Sequence, residues 1–384
     1  MRSKTASAIA VCMALLMIAA GCSRMGISAR TAAGSTPERP DAPEVGETEP
    51  SEARAPESLE TVRHRVADSH LHYLDFLQKT EGMSALLAAM DNAGVDHSMI
   101  SGMPLVKKWH AADPRKPEYY LEDDARTYWY SATDALVAHA IEQLPEDQRR
   151  RLHPFISGFN GTDRNAVDHV KRMLDLYPDL WEGIGEVMTR HDDLTALTYG
   201  ETARADHVAL DAVYELAADR DLPVLVHSNI GSAWLREPIY LHEMENALKR
   251  HPRTRFVWCH AGISRRIDIP NMPNELRRLL STYDNLWIGL SWVVRDYIVR
   301  QGKSNQAWID LVEEFPDRFM IGSDLVGRFA GLPATIEGYY VPLESLRPET
   351  RAKVAHDNFL SVLPQRVRTR LATDADQAAN AAHH

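Results

Sequence analysis

The chain has 384 residues, 44% of them hydrophobic and 25% charged, a length that fits one large domain or two modest ones. This composition excludes wholesale disorder, a collagen-like chain and a multi-span membrane protein. The net charge of −11 argues against general binding of nucleic acid, because an acidic surface repels phosphate. The three cysteines cannot build a disulfide framework.

The first residues have the pattern of a bacterial export signal. Arg2 and Lys4 give a positive start, an apolar run covers residues 8–20, and small residues lead to Cys22. Residues 18–22 also resemble the lipobox of bacterial lipoproteins, whose cysteine is lipidated and becomes the new N-terminus. We therefore expect a lipoprotein-type signal peptide over 1–22 and a lipid anchor at Cys22 on a membrane of the cell envelope, either on the periplasmic side or in the outer membrane. An ordinary cleaved signal or an uncleaved anchor is the alternative.

Three further regions follow the signal. Residues 23–60 are rich in proline, glutamate, alanine and serine and lack apolar periodicity, which predicts a disordered tether. Residues 61–373 have the periodicity of a folded domain. Residues 374–384 are alanine-rich and polar, and we expect them to form a disordered tail outside the fold.

The folded segment repeats a short β-rich apolar run followed by a stretch with helical spacing. Eight such runs are found, at 65–68, 97–103, 152–159, 181–188, 223–228, 255–262, 285–292 and 319–325. Alternating strands and helices require a parallel sheet, and eight repeats predict a distorted (β/α)8 TIM barrel. A doubly wound open sheet is the alternative. A long insertion after the second strand, 104–132, carries several aromatic residues that could roof a pocket.

Five of the eight predicted strands end in residues that can bind a metal or exchange a proton. Reactive groups of such barrels lie at the C-terminal ends of the strands, and alternate residues on a strand point the same way. The set is His70 and His72 from the first strand, Glu186 from the fourth, His227 from the fifth, His260 from the sixth and Asp324 from the eighth, each at or just past an apolar run. One histidine alone could equally be a core residue bonded to a carbonyl. The joint placement of six such groups predicts a metal site.

The donor types indicate which ion to expect. Imidazole nitrogens and carboxylate oxygens without thiolate suit Zn²⁺, with Mn²⁺ as an alternative, and the set fits one or two ions. A site with an open coordination position is catalytic rather than structural. We therefore expect a metal-dependent enzyme with a small-molecule substrate.

These motifs resemble the amidohydrolase superfamily and, within it, the amidohydrolase-related (amidohydrolase 2) family. The resemblance spans residues 66–363, and the closing segment 353–359 is similar to the family's final helix. It implies a distorted barrel that hydrolyses C–N, C–O or C–C bonds, or decarboxylates aromatic and related acids, usually with Zn or Mn. It also implies metal ligands at His70, His72, His227 and Asp324. His260 would bind a second ion or polarise the substrate.

The role of Glu186 depends on the type of relative. In TatD-type and phosphotriesterase-like relatives a residue on the fourth strand bridges two metals, whereas in single-metal decarboxylases it need not. The expected chemistry uses a cation to lower the pKa of water from about 15.7 toward about 7. Asp324 would take the proton, and His260 would steady the oxyanion; with Glu186 these are the predicted catalytic residues. In a decarboxylase, the cation would instead anchor the substrate while an acid protonates carbon.

Residues close behind the predicted strands are candidates for substrate contact. They are Arg265, Arg190, Arg328, Asn229 and Tyr73. The arginines could bind a substrate carboxylate, or could be exposed residues without a role. Cys259 directly precedes His260, so strand alternation predicts that its side chain faces the surrounding helices.

We favour a metal-dependent hydrolase acting on a small ester, lactone or amide. The alternatives are a decarboxylase on the same scaffold, a TatD-type nuclease, and a metal-holding protein without turnover. The net charge disfavours the nuclease, so we expect no nucleic-acid partner. We expect membrane contact only through Cys22, and the sequence leaves the oligomeric state open.

Overall fold

The computed structural model of the protein describes residues 64–109 and 125–381. The predicted signal peptide, the lipidation site Cys22 and the tether lie outside the described residues, as does the middle of the predicted insertion. Within the described part of the chain, no helix combines the length and apolar character needed to cross a bilayer.

Eight parallel strands form the centre of the domain, and each of the eight predicted runs overlaps one of them. The strands are β1 (Val66–Asp68 and Leu71–His72), β2 (Val95–Ser101), β3 (Leu152–Ile156), β4 (Gly183–Met188), β5 (Val224–His227), β6 (Phe256–Trp258), β7 (Leu286–Gly289) and β8 (Phe319–Met320 and Leu325–Val326). Each strand pairs with the next in chain order.

The interrupted strand β8 closes the sheet into a barrel. Its first part, Phe319–Met320, pairs with β7, and its second part, Leu325–Val326, pairs with β1. Between the two parts, Ile321 accepts a hydrogen bond from the backbone N–H of Ser69 at 3.1 Å, and the N–H of Asp324 donates to His70 at 2.7 Å. The predicted (β/α)8 barrel is therefore confirmed, and the open-sheet alternative is wrong.

Helices connect the strands and pack around them. They are α1 (Met83–Ala93), α2 (Ala132–Glu142), α3 (Glu146–Arg149), α4 (Ala166–Leu176), α5 (Val208–Asp219), α6 (Leu241–Arg250), α7 (Met272–Thr282), α8 (Val294–Ile298), α9 (Gln306–Glu314), α10 (Leu332–Glu337), α11 (Tyr340–Glu344), α12 (Pro348–Ala352), α13 (Asn358–Val362) and α14 (Gln365–Ala381). A π-helical turn, Lys353–Asp357, joins α12 to α13, and short 3-10 turns occur at Thr195–Leu197 and Cys259–Gly262.

Two of the three hydrophobic clusters hold the barrel and its helices together. The helices bury one apolar face each; α4, for example, buries Ala166, Val170 and Met173 at helical spacing. A second cluster takes one residue from each of six strands and is closed by residues of the C-terminal segment: Ala67, Met99, Phe155, Leu225, Val257 and Met320 with Phe359, Val362, Leu363 and Val367. This second cluster fills the interior of the barrel.

Two regions outside the regular barrel bear on the predictions. The ends of the predicted insertion form an antiparallel pair, Leu105–Lys107 with Thr127–Trp129, and a second short pair joins Val299–Arg300 to Lys303–Ser304. Whether the insertion covers the pocket stays a prediction, because residues 110–124 are not described. The structure corrects the prediction of a disordered tail from residue 374, because α14 continues through Ala381. The alanine-rich sequence of this segment has high helix propensity and contains no glycine or proline.

Candidate metal centre

The histidines predicted as metal ligands surround the carboxylate of Glu186 at the C-terminal ends of the strands. Nε2 of His70 lies 3.5 Å from Oε1 of Glu186, and Nε2 of His72 lies 3.1 Å from Oε2. Nδ1 of His227 lies 3.0 Å, and Nε2 of His260 lies 3.6 Å, from Oε1. Glu186 therefore lies at the centre of four imidazoles drawn from β1, β5 and the turn after β6.

Asp324 completes the cluster from β8. Its Oδ1 lies 3.4 Å from Nε2 of His70 and 3.5 Å from Nε2 of His72, while its Oδ2 lies 3.6 Å from Nε2 of His260. The side chain of Asp324 is 13% exposed, against 1% for Glu186. Asp324 is therefore the more accessible carboxylate of the cluster.

A bulge in β4 places Glu186 among the histidines. The register with β5 shifts between Ile184 and Val187, so that Gly185 and Glu186 lie opposite a single residue. A bulge of this kind bends a strand and re-aims its side chains. Gly185 has a positive φ, and a Cβ there would collide with the carbonyl oxygen of Leu225, so this position requires glycine.

His260 and Asp324 both adopt left-handed backbone conformations. Their φ angles are 56° and 55°, in a region that costs residues other than glycine about 1 to 3 kcal/mol and recurs at functional sites. His260 follows the end of β6 at Trp258, and Asp324 lies in the break of β8. The chain thus departs from strand geometry at both points where a side chain must enter the cluster.

The hydrogen-bond partners of three imidazoles accommodate hydrogen on Nδ1 and a lone pair on Nε2. Nδ1 of His72 lies 3.2 Å from the carbonyl oxygen of Gly102, which can only accept, so Nδ1 donates and Nε2 has a lone pair. Nδ1 of His70 and Nδ1 of His260 lie 3.1 Å and 2.9 Å from Oγ of Ser291. The two lone pairs of this hydroxyl can accept from both rings. Nε2 of all three rings is then directed as an acceptor toward the carboxylates.

The fourth imidazole, that of His227, has the opposite tautomer, with its hydrogen on Nε2. Nε2 of His227 donates to Oδ1 of Asn229 at 3.0 Å, and Nδ2 of Asn229 donates in turn to Oδ1 of Asp192 at 2.9 Å. This chain leaves Nδ1 of His227 as the lone-pair nitrogen, and it faces Glu186. Partners of this kind orient metal-binding histidines in known metal sites.

Four lone pairs and two carboxylates therefore face one another in a buried space, and this arrangement is repulsive unless a cation lies between them. Burial opposes charge on His72, yet the carboxylates of Asp324 and Glu186 outweigh it and raise the pKa of that imidazole to about 10. Two overlapping groups have ligand atoms within 4.8 Å of one another: His70, His72 and Asp324, and His70, Glu186, Cys259 and His260. The donor set fits one or two divalent first-row ions.

A cavity of about 580 Å³ opens above the cluster. Asp324 and three of the histidines form its floor, and Phe76, Met103, Met188 and Leu194 contribute apolar wall. Arg265, Arg295 and Arg328 also line it, and the guanidinium of Arg265 lies 4.8 Å from the ring centroid of Trp292, a further lining residue. The cavity therefore combines an apolar wall with three cationic groups.

The other substrate-contact candidates lie elsewhere. Arg190 forms an ion pair with the buried carboxylate of Glu243, at 2.5 Å and 2.9 Å, and Tyr73 is buried with its ring stacked on Phe329. Neither belongs to the cavity lining. Asn229 is buried and contacts His227, so the structure places it behind a candidate ligand.

The side chain of Cys259 does not face the surrounding helices, contrary to the prediction from strand alternation. Its Sγ lies within the ligand group of His70, Glu186 and His260, and it belongs to the cluster inside the barrel. Alternation fails because β6 ends at Trp258 and the chain enters a tight turn there. Burial, and next the charge of Glu186, raise the pKa of its thiol well above the usual range.

Two further residues belong to the site: Ser291, which carries no distinct sequence signal, and His191, which shortly follows Glu186 in the sequence. Ser291 is a serine among many, and its role depends on contacts with histidines from two distant strands. His191, on the cavity wall, stacks on His227 with ring centroids 4.4 Å apart. Nδ1 of His191 accepts from the backbone N–H groups of Asp193 and Leu194, at 3.0 Å and 3.1 Å, so its Nε2 carries the hydrogen.

The fold and the cluster together define a (β/α)8 barrel with imidazoles and carboxylates gathered at the C-terminal mouth. The model of the amidohydrolase family (Amidohydro_2) matches residues 67–364, and the chain belongs to this family. No curated protein matches the chain in sequence.

Several solved structures are similar in fold. An uncharacterized TIM-barrel protein from Bordetella bronchiseptica is 15% identical, over 77% of this chain and 97% of that one, with a TM-score of 0.48. A 2,6-dihydroxybenzoate decarboxylase from Rhizobium is 14% identical, over 78% and 98%, with a TM-score of 0.47. A dihydroorotase from Campylobacter jejuni is 20% identical, over 78% and 83%, with a TM-score of 0.46.

Proposed function

We propose that the protein is a metal-dependent hydrolase that adds water to a small ester, lactone or amide. The observation that supports this is the convergence of four imidazole lone pairs and two carboxylates on the floor of an open cavity. The proposed ligands of one or two Zn²⁺ or Mn²⁺ ions are His70, His72, Glu186, His227, His260 and Asp324. A divalent ion held there supplies a Lewis acid and acidifies water.

Asp324 is the proposed proton carrier. Burial opposes its ionisation, but the imidazoles of His70 and His260 hold its pKa below the usual value. An ionised carboxylate at the cavity floor can accept a proton from the attacking water and return it to the leaving group. Glu186 is enclosed by histidines, so we assign it to ligand binding rather than to proton transfer.

His260 and His191 take different proposed roles. Because Ser291 holds Nδ1 of His260, the Nε2 lone pair suits an ion better than an oxyanion, which needs a donor. His191 lines the cavity with its hydrogen on Nε2, and burial, followed by the charge of His227, lowers its pKa to about 3, so it stays neutral. We therefore propose His191 as the imidazole that donates to the substrate carbonyl oxygen.

The three arginines of the cavity support a substrate that carries an acidic group. Guanidinium groups bind carboxylates through paired hydrogen bonds, and Arg265, Arg295 and Arg328 all line the cavity. The same observation favours a decarboxylase as the second candidate, because the substrate of such an enzyme is an acid.

The two candidates differ in what happens to water. The protein, loaded with Zn²⁺ or with Mn²⁺, would be screened against lactones, esters, amides and aromatic acids in ¹⁸O-water, with carbon dioxide detection. We expect ¹⁸O in the product and no gas. Carbon dioxide release without ¹⁸O in the residual product would replace the hydrolase with the decarboxylase. Full metal content without turnover of any compound would contradict both.

A further inference from the structure

A second group of potential ligands lies at the opposite end of the barrel. Asp96 and His97 are near the start of β2, and His356 lies in the π-helical turn Lys353–Asp357. One ligand atom from each of these three residues lies within 4.8 Å of the other two. Because the strands are parallel, their starts lie at the face away from the cavity.

A chain of hydrogen bonds leaves Nε2 of His97 without hydrogen. Oε2 of the buried Glu182 accepts from Nδ1 of His153 at 2.5 Å, and Arg370 pairs with the other oxygen of Glu182 at 2.8 Å. Nε2 of His153 is then an acceptor, and Nδ1 of His97, 3.1 Å away, donates to it. The remaining nitrogen of His97 therefore carries a lone pair.

His356 is arranged in the same way. Its Nδ1 donates to Oδ1 of Asp357 at 2.8 Å, which leaves a lone pair on Nε2. This nitrogen lies 3.2 Å from Oδ1 of Asp96, and neither atom has a hydrogen-bond partner. The His356 side chain is only 6% exposed. Two facing acceptors in a nearly buried position cost free energy that a cation between them would recover.

We propose that Asp96, His97 and His356 bind one divalent first-row cation, such as Zn²⁺, at the N-terminal face of the barrel. Two imidazoles and one carboxylate are a donor set that zinc accepts, with water filling the remaining position. His153 and Asp357 are the positioning residues that fix the two tautomers. The Nε–H of Arg65 donates a hydrogen bond to Oδ2 of Asp96, so Oδ1 is left for the ion.

This ion would hold two distant parts of the chain together. It joins β2 to the turn that carries His356, and the segment after that turn closes the hydrophobic cluster inside the barrel. Asp96 and His356 are 260 positions apart in the sequence, so an ion that binds both residues binds the folded chain and stabilises it. The alternative is a proton on Nε2 of His356 that pairs with Asp96 and needs no metal.

The experiment uses the full chain carrying His70→Ala and His72→Ala, so that the first centre is disabled. After treatment with a chelator, this protein is titrated with Zn²⁺ alone in a calorimeter, and its zinc content and melting temperature are measured. We expect one strongly bound equivalent and a zinc-dependent rise in Tm. Adding His356→Gln or His97→Gln should weaken binding at least about 100-fold, because even outer partners contribute about 10- to 100-fold.

His139→Gln is the matched control, because this histidine lies on the exposed face of α2, and it should change nothing. If the His356→Gln variant fails to fold, the His97→Gln variant decides the question alone, because His97 would contact the ion from the other side. Absence of strong zinc binding by the parent overturns the proposal in favour of the proton-mediated pair. Zinc binding that survives both substitutions overturns it too, since the ion would then lie elsewhere.

Discussion

Oδ1 of Asn229 lies 3.0 Å from Nε2 of His227, on the side of the ring that faces away from Glu186. The amide thereby fixes the hydrogen of His227 at Nε2 and presents Nδ1 to the metal centre. A residue first considered for substrate contact thus positions a proposed metal ligand.

Asn229→Leu is expected to weaken metal binding about 10- to 100-fold, the usual effect of losing an outer partner of a ligand. Metal affinity, measured by competition with a chelator, tests this. Asn246→Leu is the control, because Asn246 holds Asp206 in an exposed pair on α6. Equal affinity in both variants would show that Asn229 does not position His227.

Asp324→Asn is expected to lower kcat by about 100-fold or more at saturating metal, because the amide cannot accept the proton. The fold should be retained, as judged by circular dichroism. Asp296→Asn removes another carboxylate from the cavity wall and should leave kcat nearly unchanged. Unaltered turnover in Asp324→Asn removes this residue from the mechanism.

Replacing His70 and His72 together by alanine is expected to remove the proposed catalytic metal, because both imidazoles direct lone pairs into the cluster. Elemental analysis of the purified protein should show the loss, and excess Zn²⁺ or Mn²⁺ should not restore turnover. His242→Ala, an exposed histidine on α6, serves as the control. A metal content equal to that of the wild-type protein would refute the ligand assignment.

Arg265 and Arg190 should respond differently to truncation. Arg265→Ala is expected to raise KM for an acidic substrate about 10- to 100-fold, the value of a charged hydrogen bond, with little effect on Tm. Arg190→Ala should leave KM unchanged but destabilise the fold by about 3 kcal/mol, because Glu243 then keeps a buried charge without its partner. The opposite pattern would reverse the two assignments.

We propose, from the sequence, that Cys22 carries a lipid anchor. Cys22→Ser is expected to abolish incorporation of labelled fatty acid and to release the protein from the membrane fraction. Cys12→Ser, a change ten residues earlier in the apolar run, should leave both unaffected. Labelling that persists in the Cys22 variant would exclude the lipobox interpretation.

Sequence periodicity predicted the barrel because each strand carries its own apolar run, and it predicted the six candidate ligands because each one lies at or just past such a run. It could not find Ser291, whose role depends on contacts between distant strands. It also misplaced Cys259, because alternation holds only while the backbone is extended, and β6 ends one residue earlier. Helix propensity, rather than polarity, decided the end of α14.

The break in β8 lies where the two edges of the barrel meet, and it is also where Asp324 enters the cluster. Any loosening of the contacts of β8 with β7 and β1, which we call the seam, would displace the proposed proton carrier before the rest of the domain unfolds. Heat inactivation should therefore precede the loss of helical circular dichroism, and substitutions that tighten the seam should protect turnover more than they protect the fold.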